Sequence, residues 1–191
     1  MKKIFILLLI LWSFGHFIAP AQDSGAKNLV GISVGVVPPW FNMYLGDPFD
    51  FWPNRELSMH YQFSYARQFG QSSWFGPYLE YEKIRFSDQV NPGKLGFRRY
   101  SAGISWFGHY PQTMLHWQLG GYTSGGMIKA DNWDNLFGVD VGIITGPAFE
   151  TKHLGVAAHF QIGHGWFFSE GTPEIVMLYN PRFLLKIYFK I

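Results

Sequence analysis

The sequence contains no cysteine among its 191 residues. This absence excludes a disulfide framework and also the attachment of a lipid to an N-terminal cysteine. Charged residues are scarce as well, because Asp, Glu, Lys and Arg make up 15% of the chain, against roughly 25% in an ordinary soluble domain. The fold must therefore be stabilised by burial and hydrogen bonding.

Long apolar runs are missing too. After residue 21, no stretch reaches the roughly 18 consecutive apolar residues that a membrane-spanning helix needs. Aromatic residues nevertheless make up 19% of the chain. Because in lipid only helices and closed β-barrels satisfy all their backbone polar groups, this composition predicts a transmembrane β-barrel.

The N-terminal segment has the features of a secretory signal peptide. Lys2 and Lys3 precede an uncharged apolar run over 4–14, and Ala19-Pro20-Ala21 is the small-x-small pattern of a cleavage site. We expect residues 1–21 to be removed on export and residues 22–191 to form one domain. Because Lys2 and Lys3 account for the formal charge of +2, the mature chain is near neutral, and a nucleic-acid partner is not expected.

Eight segments after the signal peptide alternate large apolar residues with small or polar ones, which is the period of a β-strand with two different faces. In the clearest segment, Tyr61 and Phe63 share one parity while His60 and Gln62 share the other. The predicted fold is an all-β, eight-stranded antiparallel up-and-down transmembrane β-barrel. Its predicted strands are 29–37, 57–67, 74–86, 99–107, 114–122, 137–143, 154–162 and 182–191.

The connections between these strands alternate in length. Outer-membrane barrels place short turns in the periplasm and longer loops outside the cell. The alternation therefore predicts a location in the bacterial outer membrane. The long connections are 38–56, 87–97, 123–135 and 164–181, and the short turns are 68–73, 109–112 and 147–152.

A secreted soluble barrel of the lipocalin type would show the same alternation with its apolar face turned inward. The polar parity consists mostly of Gly, Ser, Ala, His and Gln. These residues fit the interior of a narrow barrel better than a water-facing surface. The membrane barrel is therefore the preferred prediction, and the lipocalin-type binding barrel stays open as an alternative.

The chain from Gln22 to Ile191 resembles the small eight-stranded outer-membrane barrels of the OmpX-like and OmpW-like kind. The resemblance rests on the signal peptide, the strand count, the alternation of loop lengths and the amphipathic last strand, which ends Tyr188-Phe189-Lys190-Ile191. It implies a cell-envelope protein that contacts outer-membrane lipid.

Polar residues on the inward parity predict a packed interior, because an eight-stranded barrel is too narrow for an open pore. Hairpin geometry pairs His60 with Glu82, Gln62 with Glu80, Ser105 with His116, and Asp140 with His159. Each buried charge is then expected to find a partner. The predicted interior polar plug consists of His60, Glu80, Glu82, Asp140, His159 and Lys186.

The same interior residues allow an enzymatic alternative. Asp140 would orient His159 as a base. Lipid-modifying acyl hydrolases and acyltransferases are known among outer-membrane barrels, so the class is physically available. Mutual satisfaction of buried charges is the preferred interpretation, because no local motif places a serine beside a histidine. Candidate nucleophiles are Ser33, Ser101 and Ser105, with His116 as a second candidate base.

Metal ligands are not predicted to converge. His153, His159 and His164 lie in one segment, but their mixed parity turns them to different faces of an ideal strand. The loop from 131 to 135 offers carboxylate and amide oxygens without the spacing of a dedicated calcium loop. We therefore predict neither a metal nor a cofactor.

The first long connection is unusually aromatic. Exposed apolar patches often mark interaction sites, so this loop predicts a docking surface for a protein, glycan or lipid partner; folding over the barrel mouth as a lid is the structural alternative. The leading functional hypothesis is a non-enzymatic barrel that stabilises the envelope or presents loops for interaction. The predicted interaction loop contains Trp40, Phe41, Tyr44, Phe49, Phe51 and Trp52.

Overall fold

The computed structural model describes residues 27–37, 54–55, 57–70, 72–87, 95–110, 114–130, 135–169 and 175–191. In these ranges no helix is long and apolar enough to cross a membrane. The strands are β1 (Asn28–Val37), β2 (Asn54–Arg55), β3 (Ser58–Gln68), β4 (Ser73–Ser87), β5 (Leu95–Tyr110), β6 (Leu115–Ala130), β7 (Leu136–Glu150), β8 (Leu154–Ser169) and β9 (Ile175–Lys190).

The eight long strands close into a barrel. Each pairs antiparallel with its neighbours in the chain, β1 pairs with β3 on one side, and β1 also pairs with β9 on the other. The two-residue β2 adds to the far end of β4. The predicted eight-stranded antiparallel up-and-down barrel is therefore confirmed, and closure leaves no sheet edge along its long strands.

Three of the long loops are shorter in the structure than the sequence predicted. The connections are 88–94, 131–135 and 170–174, because β4 to β9 extend further than their alternation indicated. Small residues such as Gly125 and Gly126 suggested a loop, yet they lie within β6. At Gly126 a Cβ atom would lie 2.6 Å from the Tyr100 carbonyl oxygen, so glycine permits the close approach of β5.

Two of the predicted cross-strand registers were wrong. Ser105 lies opposite Tyr122 rather than His116, and Asp140 lies opposite Gly165 rather than His159. The β5–β6 and β7–β8 turns lie further along the chain than predicted, at 111–114 and 151–153. The displacement is an even number of residues, so every side chain keeps its predicted face. The predicted pairs His60–Glu82 and Gln62–Glu80 are confirmed.

Apolar side chains cover the outside of the barrel. Ile32 is 60% exposed, Leu79 61%, Ile143 58% and Leu185 55%, although each belongs to a long, well-paired strand. Charged and polar side chains fill the inside. The lipocalin-type alternative requires the reverse arrangement, with the apolar parity inside, and is therefore wrong about the orientation of the faces.

Candidate functional site

The polar interior contains two clusters, one in the middle of the barrel and one at the end with the short turns. The first, which we name the arginine cluster, consists of Arg99, Arg182, Glu80, Glu82, Asp140 and His60. The second, which we name the histidine cluster, consists of His109, His116, Glu150, Gln118, Tyr188 and Lys190. All twelve are buried except Lys190, which is half-buried.

The two arginines of the arginine cluster bridge carboxylates on different strands. Arg99 Nη2 lies 2.6 Å from Asp140 Oδ2 and 3.1 Å from Glu80 Oε1. Arg182 Nη1 lies 3.1 Å from Glu80 Oε2, and Arg182 Nη2 lies 3.5 Å from Asp140 Oδ2. Both guanidinium groups therefore share Glu80 and Asp140, which joins β4, β5, β7 and β9 across the barrel.

Strand register explains how these charges meet. Glu80 and Glu82 are two residues apart on β4 and point to the same side, and Arg99 lies directly opposite Glu82 on β5. Arg182 arrives from β9 across the lumen, and its Nη2 lies 3.7 Å from Glu82 Oε2. His60 approaches the same group, with Nε2 3.9 Å from Glu80 Oε2. Such contacts between side chains on opposite sides of the lumen form because the sheet closes into a barrel.

A tyrosine layer separates the two clusters. Tyr78 and Tyr122 contact each other edge to face at 6.3 Å between ring centroids and pack with Ile144. The Tyr122 hydroxyl donates to Asp140 Oδ1 at 3.4 Å, so the layer is tied to the arginine cluster. The two polar clusters are thus distinct sites within one lumen.

Glu150 is the centre of the histidine cluster. Its Oε1 lies 3.4 Å from His109 Nδ1 and 3.6 Å from His116 Nε2, and it accepts a hydrogen bond from the Tyr188 hydroxyl. Its Oε2 lies 2.5 Å from Lys190 Nζ. The two carboxylate oxygens therefore face different groups, one the imidazoles and the other an ammonium.

The ends of β5, β6 and β7 bring the two histidines, Gln118 and Glu150 together, and β9 supplies Tyr188 and Lys190. His109 lies opposite Gln118 across β5 and β6, and His116 precedes Gln118 by two residues on the same face. Glu150 is held at the end of β7 by a hydrogen bond from its backbone N–H to the Met114 carbonyl. The two imidazole rings stack at 4.3 Å between centroids. Ligand-forming atoms of His109, His116 and Glu150 all lie within 4.8 Å of one another.

The proposed triad of Asp140, His159 and a serine does not form among these residues. Asp140 contacts Arg99 and Tyr122, whereas His159 Nε2 lies 2.7 Å from Gln118 Oε1 in the other cluster. Ser105 is buried beside Tyr122 in register, away from His116. Ser33 donates to Gln62 Oε1 at 3.4 Å, and Ser101 Oγ accepts from Arg99 Nε at 3.0 Å.

The structure also locates the predicted polar plug and the histidines His153 and His164. All six members of the predicted polar plug are buried, and Lys186 Nζ lies 4.9 Å from the centre of the Phe107 ring. His153 is exposed in the β7–β8 turn and His164 is on the outward parity of β8. The predicted interaction loop, Trp40, Phe41, Tyr44, Phe49, Phe51 and Trp52, lies outside the described residues.

Sequence reasoning missed the centre of each cluster. Arg99 and Arg182 share parity with Ser101 and Lys186, so the alternation contained the signal that they point inward. His109 and Glu150 were assigned to turns, and only longer strands turn them into interior residues. The alternation of the sequence alone therefore did not identify His109 and Glu150 as interior residues.

Neither a protein-family model nor a curated protein matches the sequence. Two crystal structures of Ail, the attachment invasion locus protein of Yersinia pestis, align at 11% identity with TM-scores of 0.40 and 0.36. They cover 86% and 87% of this chain and 99% of their own chains, and the first is a complex with the heparin analogue sucrose octasulfate.

The crystal structure of Neisserial surface protein A aligns with a TM-score of 0.57 at 14% identity, covering 86% of this chain and 96% of that chain. Similarity at this level of identity concerns the fold. Together with the closed strand order, it shows that the chain folds as an eight-stranded antiparallel β-barrel of the outer-membrane type.

Proposed function

We propose that the protein is an exported, non-enzymatic barrel of the bacterial outer membrane that stabilises the envelope and presents its longer loops for interaction. The observation that carries the proposal is the apolar outer face of a closed barrel. Burying such a face in lipid releases water from it, whereas exposing it in solution would favour aggregation. The predicted signal peptide at residues 1–21 is consistent with export.

The packed lumen supports a structural role rather than solute passage. Arg99, Arg182, Glu80 and Asp140 cross-link four strands in the middle of the barrel, and each of these side chains is at most 1% exposed. A continuous aqueous path would have to separate these charges. Separating buried ion pairs costs several kcal/mol, on the order of the whole stability of a small domain.

Outer-membrane lipid with anionic head groups is the partner that the outer surface supports best. Lys83, Arg98 and Lys129 lie directly opposite one another on β4, β5 and β6, and all three are exposed. They occupy the end of the barrel with the longer loops, beyond the apolar belt. Anionic head groups at that height would attract this group of three exposed cations.

A protein or glycan partner at the loops is the second part of the proposal. β1 ends at Val37 and β2 begins at Asn54, so the segment that contains the predicted interaction loop starts and ends on strands of the barrel. Fixing the two ends of a segment lowers the conformational entropy that it loses on binding. The partner itself is expected to contact Trp40, Phe41, Tyr44, Phe49, Phe51 and Trp52.

Expression of the full chain in a Gram-negative host tests the proposal. We expect the mature protein in the outer-membrane fraction, with faster migration in detergent gels before boiling than after it. A matched variant with the six loop aromatics changed to Ser should keep this migration and lose adhesion to glycan-coated or protein-coated surfaces. Recovery of the wild-type chain in the soluble periplasmic fraction would contradict the membrane role, and unchanged adhesion would contradict the loop role.

A further inference from the structure

We propose that the histidine cluster is a binding site for one divalent transition-metal ion of the Zn²⁺ and Co²⁺ class. The ligands are His109 Nδ1, His116 Nε2 and Glu150 Oε1, contributed by three adjacent strands at the short-turn end of the lumen. Two imidazoles and one carboxylate form a donor set typical of such ions. Ca²⁺ and Mg²⁺ prefer sites built from oxygen alone.

The separations between the ligand atoms fit a tetrahedral ion. Bonds of about 2.0–2.2 Å to nitrogen and oxygen at tetrahedral angles separate neighbouring ligand atoms by about 3.3–3.5 Å. Glu150 Oε1 lies 3.4 Å from His109 Nδ1 and 3.6 Å from His116 Nε2. The ligand atoms of the two imidazoles lie within 4.8 Å of each other.

Groups next to the proposed ligands can form the hydrogen bonds that orient ligands in metal sites. A metal-bound imidazole usually donates its second N–H to an oxygen, which fixes the ring. His109 Nε2 lies 3.3 Å from the Gln118 amide, and rotation of that amide by half a turn supplies an acceptor oxygen there. The same rotation lets the amide nitrogen donate to His159. The second nitrogen of His109 therefore gains an acceptor by turning one side chain, and the same turn replaces the Gln118 N–H that donates to the Tyr188 hydroxyl at 2.9 Å with an acceptor oxygen.

Lys190 is expected to weaken metal binding at Glu150. Removing its charge therefore provides a test of the proposed site. Its ammonium lies 2.5 Å from Glu150 Oε2 and neutralises the carboxylate that an ion would bind. Removing the ammonium leaves the three ligands in place and increases the negative potential at Oε1. A Lys190→Met variant is expected to bind the ion several-fold more tightly than the wild-type protein.

A cobalt titration of the folded barrel in detergent, after removal of metal with a chelator, tests the site. We expect one equivalent of Co²⁺ to produce the visible absorption bands of a nitrogen- and oxygen-ligated ion, and Zn²⁺ to abolish them by displacement. His109→Gln and His116→Gln should each weaken binding about tenfold or more. His153→Gln, which removes an exposed histidine from the same end of the barrel, serves as the matched control and should leave the affinity unchanged.

Heat-modifiable migration verifies that each variant is folded before its titration. If a histidine variant does not fold, the gain of affinity in Lys190→Met supports the site without relying on a loss. Absence of saturable Co²⁺ binding by the wild-type barrel overturns the proposal. Binding that is unchanged in both His109→Gln and His116→Gln, or that disappears in His153→Gln, overturns it as well.

Discussion

The arginine cluster and the histidine cluster occupy the same lumen but differ in the groups that face their carboxylates. In the arginine cluster, Glu80 and Asp140 each contact both guanidinium groups. In the histidine cluster, Glu150 contacts one ammonium through Oε2 and two stacked imidazoles through Oε1. The first arrangement consists of paired charges that lock strands together, and the second combines a carboxylate with imidazole nitrogens, which are common metal ligands.

This difference follows from position. The arginine cluster lies in mid-barrel behind the tyrosine layer, where an unpaired charge cannot reach water and is therefore expensive. The histidine cluster lies beside the short turns, where His109 and Glu150 side chains keep 9% and 8% exposure. One lumen thus combines a fully buried structural layer with a layer that keeps slight exposure.

The largest expected effect comes from removing a guanidinium from the sealed layer. Arg182→Met leaves Glu80, Glu82 and Asp140 with Arg99 as the one remaining arginine of the cluster, so we expect a loss of about 3–5 kcal/mol in the free energy of unfolding. Urea titration of the barrel in lipid vesicles measures it. Lys83→Ala removes an exposed cation from β4 and should change stability by less than about 1 kcal/mol. Equal losses in the two variants would refute the special role of the arginine cluster.

A smaller effect is expected from crowding next to that layer. At Gly126 an added Cβ would lie 2.4 Å from Ser101 Oγ, the atom that accepts the Arg99 hydrogen bond, whereas at Gly125 its nearest neighbour lies 4.0 Å away. Gly126→Ala should therefore cost about 1–3 kcal/mol, and Gly125→Ala should be close to neutral. The urea unfolding midpoints of the two variants measure this difference in stability. A lower stability of Gly125→Ala than of Gly126→Ala would contradict the close approach of β5 to β6 at Gly126.

The smallest effect is expected at the accessible cluster without metal. Glu150→Gln removes the ion pair with Lys190 but keeps an oxygen that accepts from the Tyr188 hydroxyl, so the loss should be about 1 kcal/mol. The same urea titration in metal-free buffer measures it. A loss as large as that of Arg182→Met would mean that the histidine cluster is a second structural lock, and the contrast between the two layers would disappear.

The sequence predicted the faces of the strands well and their lengths poorly. Parity depends on each residue's neighbours two positions away, so the inward facing of His60, Glu82 and Asp140 could be read from alternation alone. Strand ends depend on contacts with adjacent strands, and a segment such as Gly125-Gly126 looks like part of a loop until Ala102 and Ser101 are placed beside it. Because the registers depend on those ends, the Asp140–His159 pair was predicted wrongly.

The members of a site that spans the lumen were the hardest to predict. Arg182 and Glu80 are 102 residues apart in sequence, and no local pattern relates them. Their contact exists because β1 pairs with both β3 and β9 and so closes the sheet. Closure, rather than any motif, determines which buried charges meet.

The orientation of the two barrel faces is the central claim, and adjacent alanines on β8 test it most directly. The chain has no cysteine, so Ala157→Cys and Ala158→Cys each introduce one thiol; Ala157 is buried in the lumen, and Ala158 faces outward. In lipid vesicles, we expect a membrane-dissolved apolar thiol reagent to label Ala158→Cys and leave Ala157→Cys unmodified, while a charged reagent in water labels neither. Labelling of Ala158→Cys by the charged reagent, or of Ala157→Cys by the apolar one, would contradict the account.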